Sequence, residues 1–141
     1  MPLPEHERQE FLAQPHVAAL SVAAGPERGP LVIPIWYDYT PGGELWFHTN
    51  TGSRKAKLIE AAGRVSLMVD ETAPRVRYVS VEGPVVRTEP GTVEVVRAMT
   101  ARYLPADRVE PYVEFVQNEL GEQVAFFIRP ERWLSADMTG N

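Results

Sequence analysis

Leu31-Val32-Ile33-Pro34-Ile35-Trp36-Tyr37-Asp38-Tyr39, then Thr40-Pro41-Gly42-Gly43, then Glu44-Leu45-Trp46-Phe47-His48-Thr49 is the stretch that decides the fold. Its two outer segments are rich in β-branched and aromatic residues, which suit a pleated, half-buried surface. The Pro-Gly-Gly between them closes a hairpin. The reading is therefore two antiparallel strands, 31–39 and 44–49. Pro34 has no N–H for a ladder, so it implies a bulge or a locally free edge.

Working outward, residues 16–22 form a strand candidate before the Gly25-Pro26-Glu27-Arg28-Gly29-Pro30 turn, and residues 65–70 form another. Residues 75–87 alternate over a long run, with Gly83-Pro84 marking a bulge or bend. Residues 123–129 make the last long strand, and 130–137 follow as a short tail. Helices are predicted over 4–13, 53–62, 91–103 and 107–119. Ser53 serves as N-cap and Gly63 as terminator of the second, and Asp107 with Glu110 suggests a capping box on the fourth. Six strands with few short helices favour a mainly β protein, a small antiparallel barrel with flanking helices, in one domain over 1–141.

Composition narrows the function. The 141-residue chain carries a net charge of −5. An acidic chain without a basic face argues against nucleic-acid binding. There is no cysteine, hence no disulfide, thiolate metal site or Cys nucleophile. His6, His16 and His48 are scattered without carboxylates at ligand spacing, so no metal site is expected. The acidic N-terminus lacks the apolar core of a signal peptide, and no apolar run reaches membrane-spanning length. A soluble cytoplasmic protein is the expectation.

One local exception stands out. Asn50-Thr51-Gly52-Ser53-Arg54-Lys55-Ala56-Lys57-Leu58-Ile59 holds both lysines of the chain beside an arginine. Three cations at a helix start oppose the macrodipole, by about 0.3–1 kcal/mol each. Helix N-termini also present unpaired N–H groups that bind anions. Lys55 shares a face with Leu58, Ile59 and Ala62, so it points toward the core side. Either it snorkels or it meets a ligand's charge in a cleft. A solvated basic helix end paired with surface carboxylates is the plainer reading. The aromatics Trp36, Tyr37, Tyr39, Trp46 and Tyr78 suit core and interface, and alternation separates Trp36 from Tyr37 and Tyr39. No Gly-x-Ser-x-Gly elbow or phosphate-loop motif is present.

The ordered set Pro34-Ile35-Trp36-Tyr37, Leu45-Trp46-Phe47-His48-Thr49, Ser53-Arg54-Lys55-Ala56-Lys57-Leu58, Arg64-Val65-Ser66-Leu67-Met68-Val69-Asp70 and Val79-Ser80-Val81-Glu82-Gly83-Pro84 resembles the pyridoxamine 5′-phosphate oxidase-like family. The likeness extends over about residues 8–137 and is strongest to its flavin- and deazaflavin-dependent oxidoreductase branch. That resemblance implies a six-stranded antiparallel split β-barrel of the FMN-binding type. It also implies a homodimer with two cofactor sites at the subunit interface and a small-molecule substrate. Arg54, Lys55 and Lys57 would bind the phosphate of FMN or of the deazaflavin F420, assisted by Ser53 and Thr49. Ile33, Pro34, Ile35 and Trp36 would run beside the ring, and Trp133 would reach the partner's site. The cofactor would carry the hydride chemistry. Tyr37, Tyr39, His48 and Tyr78 are the candidate proton donors. The true oxidases are longer, and their substrate-phosphate residues have no placeable counterpart, so the likeness does not extend to vitamin B6 oxidation. A non-catalytic carrier or sensor binding flavin, F420 or haem is the alternative.

Overall fold

In the computed structural model, which describes residues 1–140, the order is α1 (Glu5–Ala13), β1 (Ala18–Val22), β2 (Leu31–Ile35), β3 (Asp38–Tyr39), β4 (Leu45–Asn50), α2 (Arg54–Ala62), β5 (Arg64–Glu71) and β6 (Arg77–Gly91). Then come α3 (Val93–Tyr103), α4 (Ala106–Phe115), a π-turn (Val116–Leu120), β7 (Gln123–Ile128) and β8 (Arg132–Asp137). The strands form one antiparallel sheet in the order β2-β1-β5-β6-β7-β4-β3, with β8 also on β6. The fold is mainly β with flanking helices, a curled sheet of the split-barrel kind. No helix among the described residues is long and apolar enough to cross a membrane.

The fifteen-residue β6 organises the sheet. Its first half lies between β5 and β8, and its second half pairs with β7. The changeover falls where Gly83-Pro84 predicts a bend. Register slips between Val85 and Arg87. A Cβ at Gly83 would run into the carbonyl oxygen of Arg129, so the side-chain-free residue lets the β7–β8 connection cross β6 closely.

The six predicted strands become eight, for two reasons. The run 31–39 breaks after Ile35. Side chains of α3 take the backbone groups that would continue its ladder: Tyr37 N–H donates to Tyr103 Oη (3.1 Å), and Tyr37 C=O accepts from Arg102 Nε (2.8 Å) and Tyr103 Oη (3.0 Å). The chain thus leaves β1 and restarts against β4 as β3. The predicted tail 132–137 is β8, paired with β6 from Arg77↔Asp137 to Glu82↔Arg132. β2 is an edge strand, where the missing N–H of Pro34 leaves a ladder site open to no neighbour. The capping box is absent from α4. Its N-cap is Pro105, and Glu110 pairs instead with Arg97 of α3 (2.8 Å).

The sheet curls around Leu20, Leu45, Phe47, Leu67, Val79 and Phe126, with Phe11 and Leu12 of α1 and Ile59 of α2 packed in. Full burial of such side chains is worth about 1.5–3 kcal/mol each. A second, smaller apolar cluster joins Val96 of α3 to Val109, Val113 and Val116.

Candidate functional site

β4 alternates in burial, so Leu45, Phe47 and Thr49 turn into the core while Trp46, His48 and Asn50 lie on the other face. That outer face, the start of β7, the end of β2, the first turn of α2 and the α4–π segment enclose a cleft of about 510 Å³. His48, Thr49, Asn50, Ser53, Lys55 and Gln123 supply its polar side. Val17, Pro34, Ile35, Trp36, Tyr112, Val116 and Leu120 supply the apolar side. Among the described residues no carboxylate lines it.

The basic lip is built by a cap. Ser53 Oγ accepts from Ala56 N–H (3.0 Å) and donates to Asn50 C=O (2.9 Å), and Thr49 Oγ1 lies 3.4 Å away. Gly63 ends the helix in the left-handed region, φ 70°. The Ser53 hydroxyl is thereby committed to the turn. The backbone N–H groups of Arg54 and Lys55 have no acceptor among the described residues. Lys55 is partly buried at the lip, whereas Arg54 and Lys57 are exposed. None of the three has a carboxylate within salt-bridge distance among the described residues. Burial pulls the Lys55 ammonium below its ordinary pKa, so an anion in the cleft would restore it.

The aromatic wall rests on α3. Trp36 stacks on Tyr103 (4.8 Å, 7°) and lies 5.3 Å from Tyr112. The Arg102 and Tyr103 hydrogen bonds to Tyr37 hold this segment still. On the polar side, His48 Nδ1 lies 2.9 Å from Gln123 Oε1, and Gln123 Nε2 donates to Gly121 C=O (3.2 Å). Burial lowers the His48 pKa and nearby Lys55 lowers it further, against the Gln123 bond, which raises it. Asn50 Oδ1 is occluded without a partner.

Of the residues singled out from sequence, Pro34, Ile35, Trp36, Thr49, Ser53 and Lys55 meet in the cleft. Ile33 pairs with Leu20 and packs on the core, and Arg54 and Lys57 stand on the helix just outside. Trp133 lies elsewhere, under the Arg8 guanidinium (4.7 Å) and edge-on to Tyr39 (6.1 Å) of its own chain. Among the proton-donor candidates only His48 lines the cleft. Tyr37 Oη is buried and donates to Leu12 C=O (2.6 Å), and burial pushes its pKa well up. Tyr39 Oη accepts from Gly42 N–H, and Tyr78 pairs between β5 and β8. Sequence reading missed Tyr112, Val116, Leu120, Asn50 and Gln123. The first three recur every four residues and share one helical face, a signal that was present. Gln123 faces Asn50 only through the β4–β7 register.

A curled antiparallel sheet flanked by helices, with a basic lip beside an aromatic cleft, defines a protein of the split-barrel class. Residues 4–136 match the pyridoxamine 5′-phosphate oxidase family, and the chain belongs to it. No curated protein matches the sequence. Among solved structures, an F420 reductase is 23% identical with a TM-score of 0.70, over 89% of this chain and 94% of that one. A conserved hypothetical protein from Mycobacterium tuberculosis is 26% identical with a TM-score of 0.68, over 96% and 85%. A FAD-binding protein from Mesorhizobium loti is 22% identical with a TM-score of 0.62, over 97% and 95%.

Proposed function

We propose that the chain is an oxidoreductase that binds FMN or the deazaflavin F420 in this cleft and reduces a small organic substrate by hydride transfer. The observation that carries the reading is the trio Arg54, Lys55 and Lys57, without a carboxylate partner among the described residues and clustered at a helix N-terminus beside an aromatic-walled cleft that no described carboxylate lines. Lys55 and the free N–H groups of the first turn would hold the phosphate, with Arg54 and Lys57 at its outer side. Ser53 and Thr49 shape that turn. Pro34, Ile35 and Trp36 would flank the ring. A flavin or deazaflavin, when bound, supplies the hydride chemistry. The protein's own share is to bind it, orient it and limit water along the Trp36–Tyr112 wall. Family membership and the names of the F420 reductase and the FAD-binding protein support this choice of ligand.

The same reading includes a homodimer. Pro34, Ala19, Met68, Ser80 and Leu134 form one cross-strand row on the outer face of the sheet, without a charge. Met68 is 38% and Leu134 63% exposed, with Val32 at 61% on the same face. Such a strip fits a second copy of the chain. Pro34 belongs to both the row and the cleft, so a partner seated there would border the cofactor.

Titration with FMN and with F420, followed by absorbance and Trp fluorescence, tests the reading. Saturable binding of one of them and turnover of its reduced form with organic acceptors are expected; failure of both to bind refutes it. A carrier or sensor of flavin, deazaflavin or haem is favoured by one observation: among the described residues no carboxylate lines the cleft, and His48 is held toward its neutral form. Tight binding without turnover on a broad acceptor panel would select that second reading.

A further inference from the structure

We propose that His48 is the cleft's fixed hydrogen-bond acceptor, its Nε2 receiving a hydroxyl or N–H that the ligand carries next to the anion at Lys55. The inference rests on the cofactor reading above and narrows the ligand's chemistry to an anion with a donor-bearing chain, as in a polyol phosphate.

The argument starts from the amide. Gln123 Nε2 faces the carbonyl of Gly121 at 3.2 Å, an acceptor only, so the amide orientation is determined and Oε1 is the atom turned to His48. An amide oxygen cannot donate. The 2.9 Å contact therefore requires the proton on His48 Nδ1. In neutral imidazole that leaves Nε2 as a bare lone pair. Nε2 has no protein partner among the described residues and is not among the occluded, unsatisfied atoms. Protonating it would place a second cation beside Lys55 in a partly buried site, which burial and that charge both oppose. The remaining titratable group of the cleft is Tyr112 of α4, and no carboxylate lines it from β2, β7 or the π-turn. The cleft thus offers a cation for an anion and, beside it, an acceptor for a donor. A ribityl phosphate satisfies both, since its hydroxyls lie within a few bonds of the phosphate.

The test uses the whole protein and graded probes. FMN carries phosphate and polyol chain, riboflavin the chain alone, lumiflavin neither. If F420 is the cofactor that binds, F420 and its phosphate-free ribityl deazaflavin replace the first two. His48→Phe should weaken FMN and riboflavin alike by about three- to tenfold, the worth of one neutral hydrogen bond, and leave lumiflavin unchanged. Lys55→Ala should weaken FMN and spare riboflavin. Riboflavin affinity should also fall as pH drops from 7 to 5 in the parent and stay flat in His48→Phe. Nitrogen-15 NMR of labelled histidine should report the Nδ1–H tautomer at pH 7, lost in Gln123→Leu. Equal loss of lumiflavin, no loss of any probe, or an Nε2–H tautomer overturns the role of His48. An unchanged FMN-to-riboflavin ratio in Lys55→Ala overturns the phosphate assignment instead.

Discussion

Two groups of cations stand in contrast. Arg64, Arg75, Arg77, Arg87, Arg97, Arg102 and Arg129 each lie within salt-bridge distance of a carboxylate. Among the described residues Arg54, Lys55 and Lys57 do not, and neither do Arg8, Arg28, Arg108 and Arg132; what sets the first three apart is that they cluster at one helix N-terminus beside the cleft. The first set fastens structure. Arg75 and Arg77 tie Glu7 of α1 to the β5–β6 hairpin, and Arg77 also lies over the Phe11 ring (4.3 Å). Arg102 reaches the carbonyls of Tyr37 and Ala13, both at 2.8 Å. The second set sits where the helix dipole disfavours it, with no partner to offset the cost. The contrast is one of place: the paired arginines fasten elements to one another, whereas the cluster concentrates three cations at one helix start on the lip of the cleft.

The largest expected effect falls on the second set. Lys55→Ala combined with Lys57→Ala should weaken FMN or F420 binding by several kcal/mol at most, since charge-assisted contacts contribute about 1.5–3 kcal/mol each. Its melting temperature should stay at or above the parent's, because unfavourable dipole interactions are removed. Calorimetric titration and thermal melts read the two halves separately. Arg102→Ala should do the reverse. It leaves two carbonyls short of a donor and loosens the Trp36–Tyr37 segment, for a loss of about 1–3 kcal/mol in urea denaturation, with flavin affinity reduced through Trp36. If the lysine pair behaves like Arg102, the division fails.

The division was partly legible in sequence. The misplaced cations, the Ser53 cap, the Gly63 stop and the Gly83-Pro84 bend are local, and each is where the residues predict it. What escaped is set by distant contacts. The break after Ile35 depends on Arg102 and Tyr103, about 65 residues on. The tail became a strand because β6 offers a free edge beside the point where it takes β7. Ser135 also turns inward and accepts from Leu3 N–H at 3.1 Å. Tyr112, Val116 and Leu120 of the α4–π segment and Gln123 reach the cleft through the tertiary fold, Gln123 by strand register. Trp133, read as a tail aromatic that buries against something, sits in β8 and packs on Arg8 and Tyr39 of its own chain, a contact set by strand pairing rather than by local sequence.

Smaller effects sharpen the comparison further. Leu134→Asp, on the uncharged outer row, should shift sedimentation from dimer toward monomer and leave the chain folded; an unchanged dimer would move the interface elsewhere. Arg97→Ala removes an exposed pair with Glu110 and should leave melting and binding where they were, as exposed pairs generally do.

The most direct measurement is calorimetric titration of FMN and F420, each against its phosphate-free counterpart, into the parent protein and the Lys55→Ala, Lys57→Ala variant. The account predicts that the parent prefers the phosphate-bearing form of one of the two and that the variant loses the preference while keeping the phosphate-free affinity. Equal preference in both proteins would contradict it.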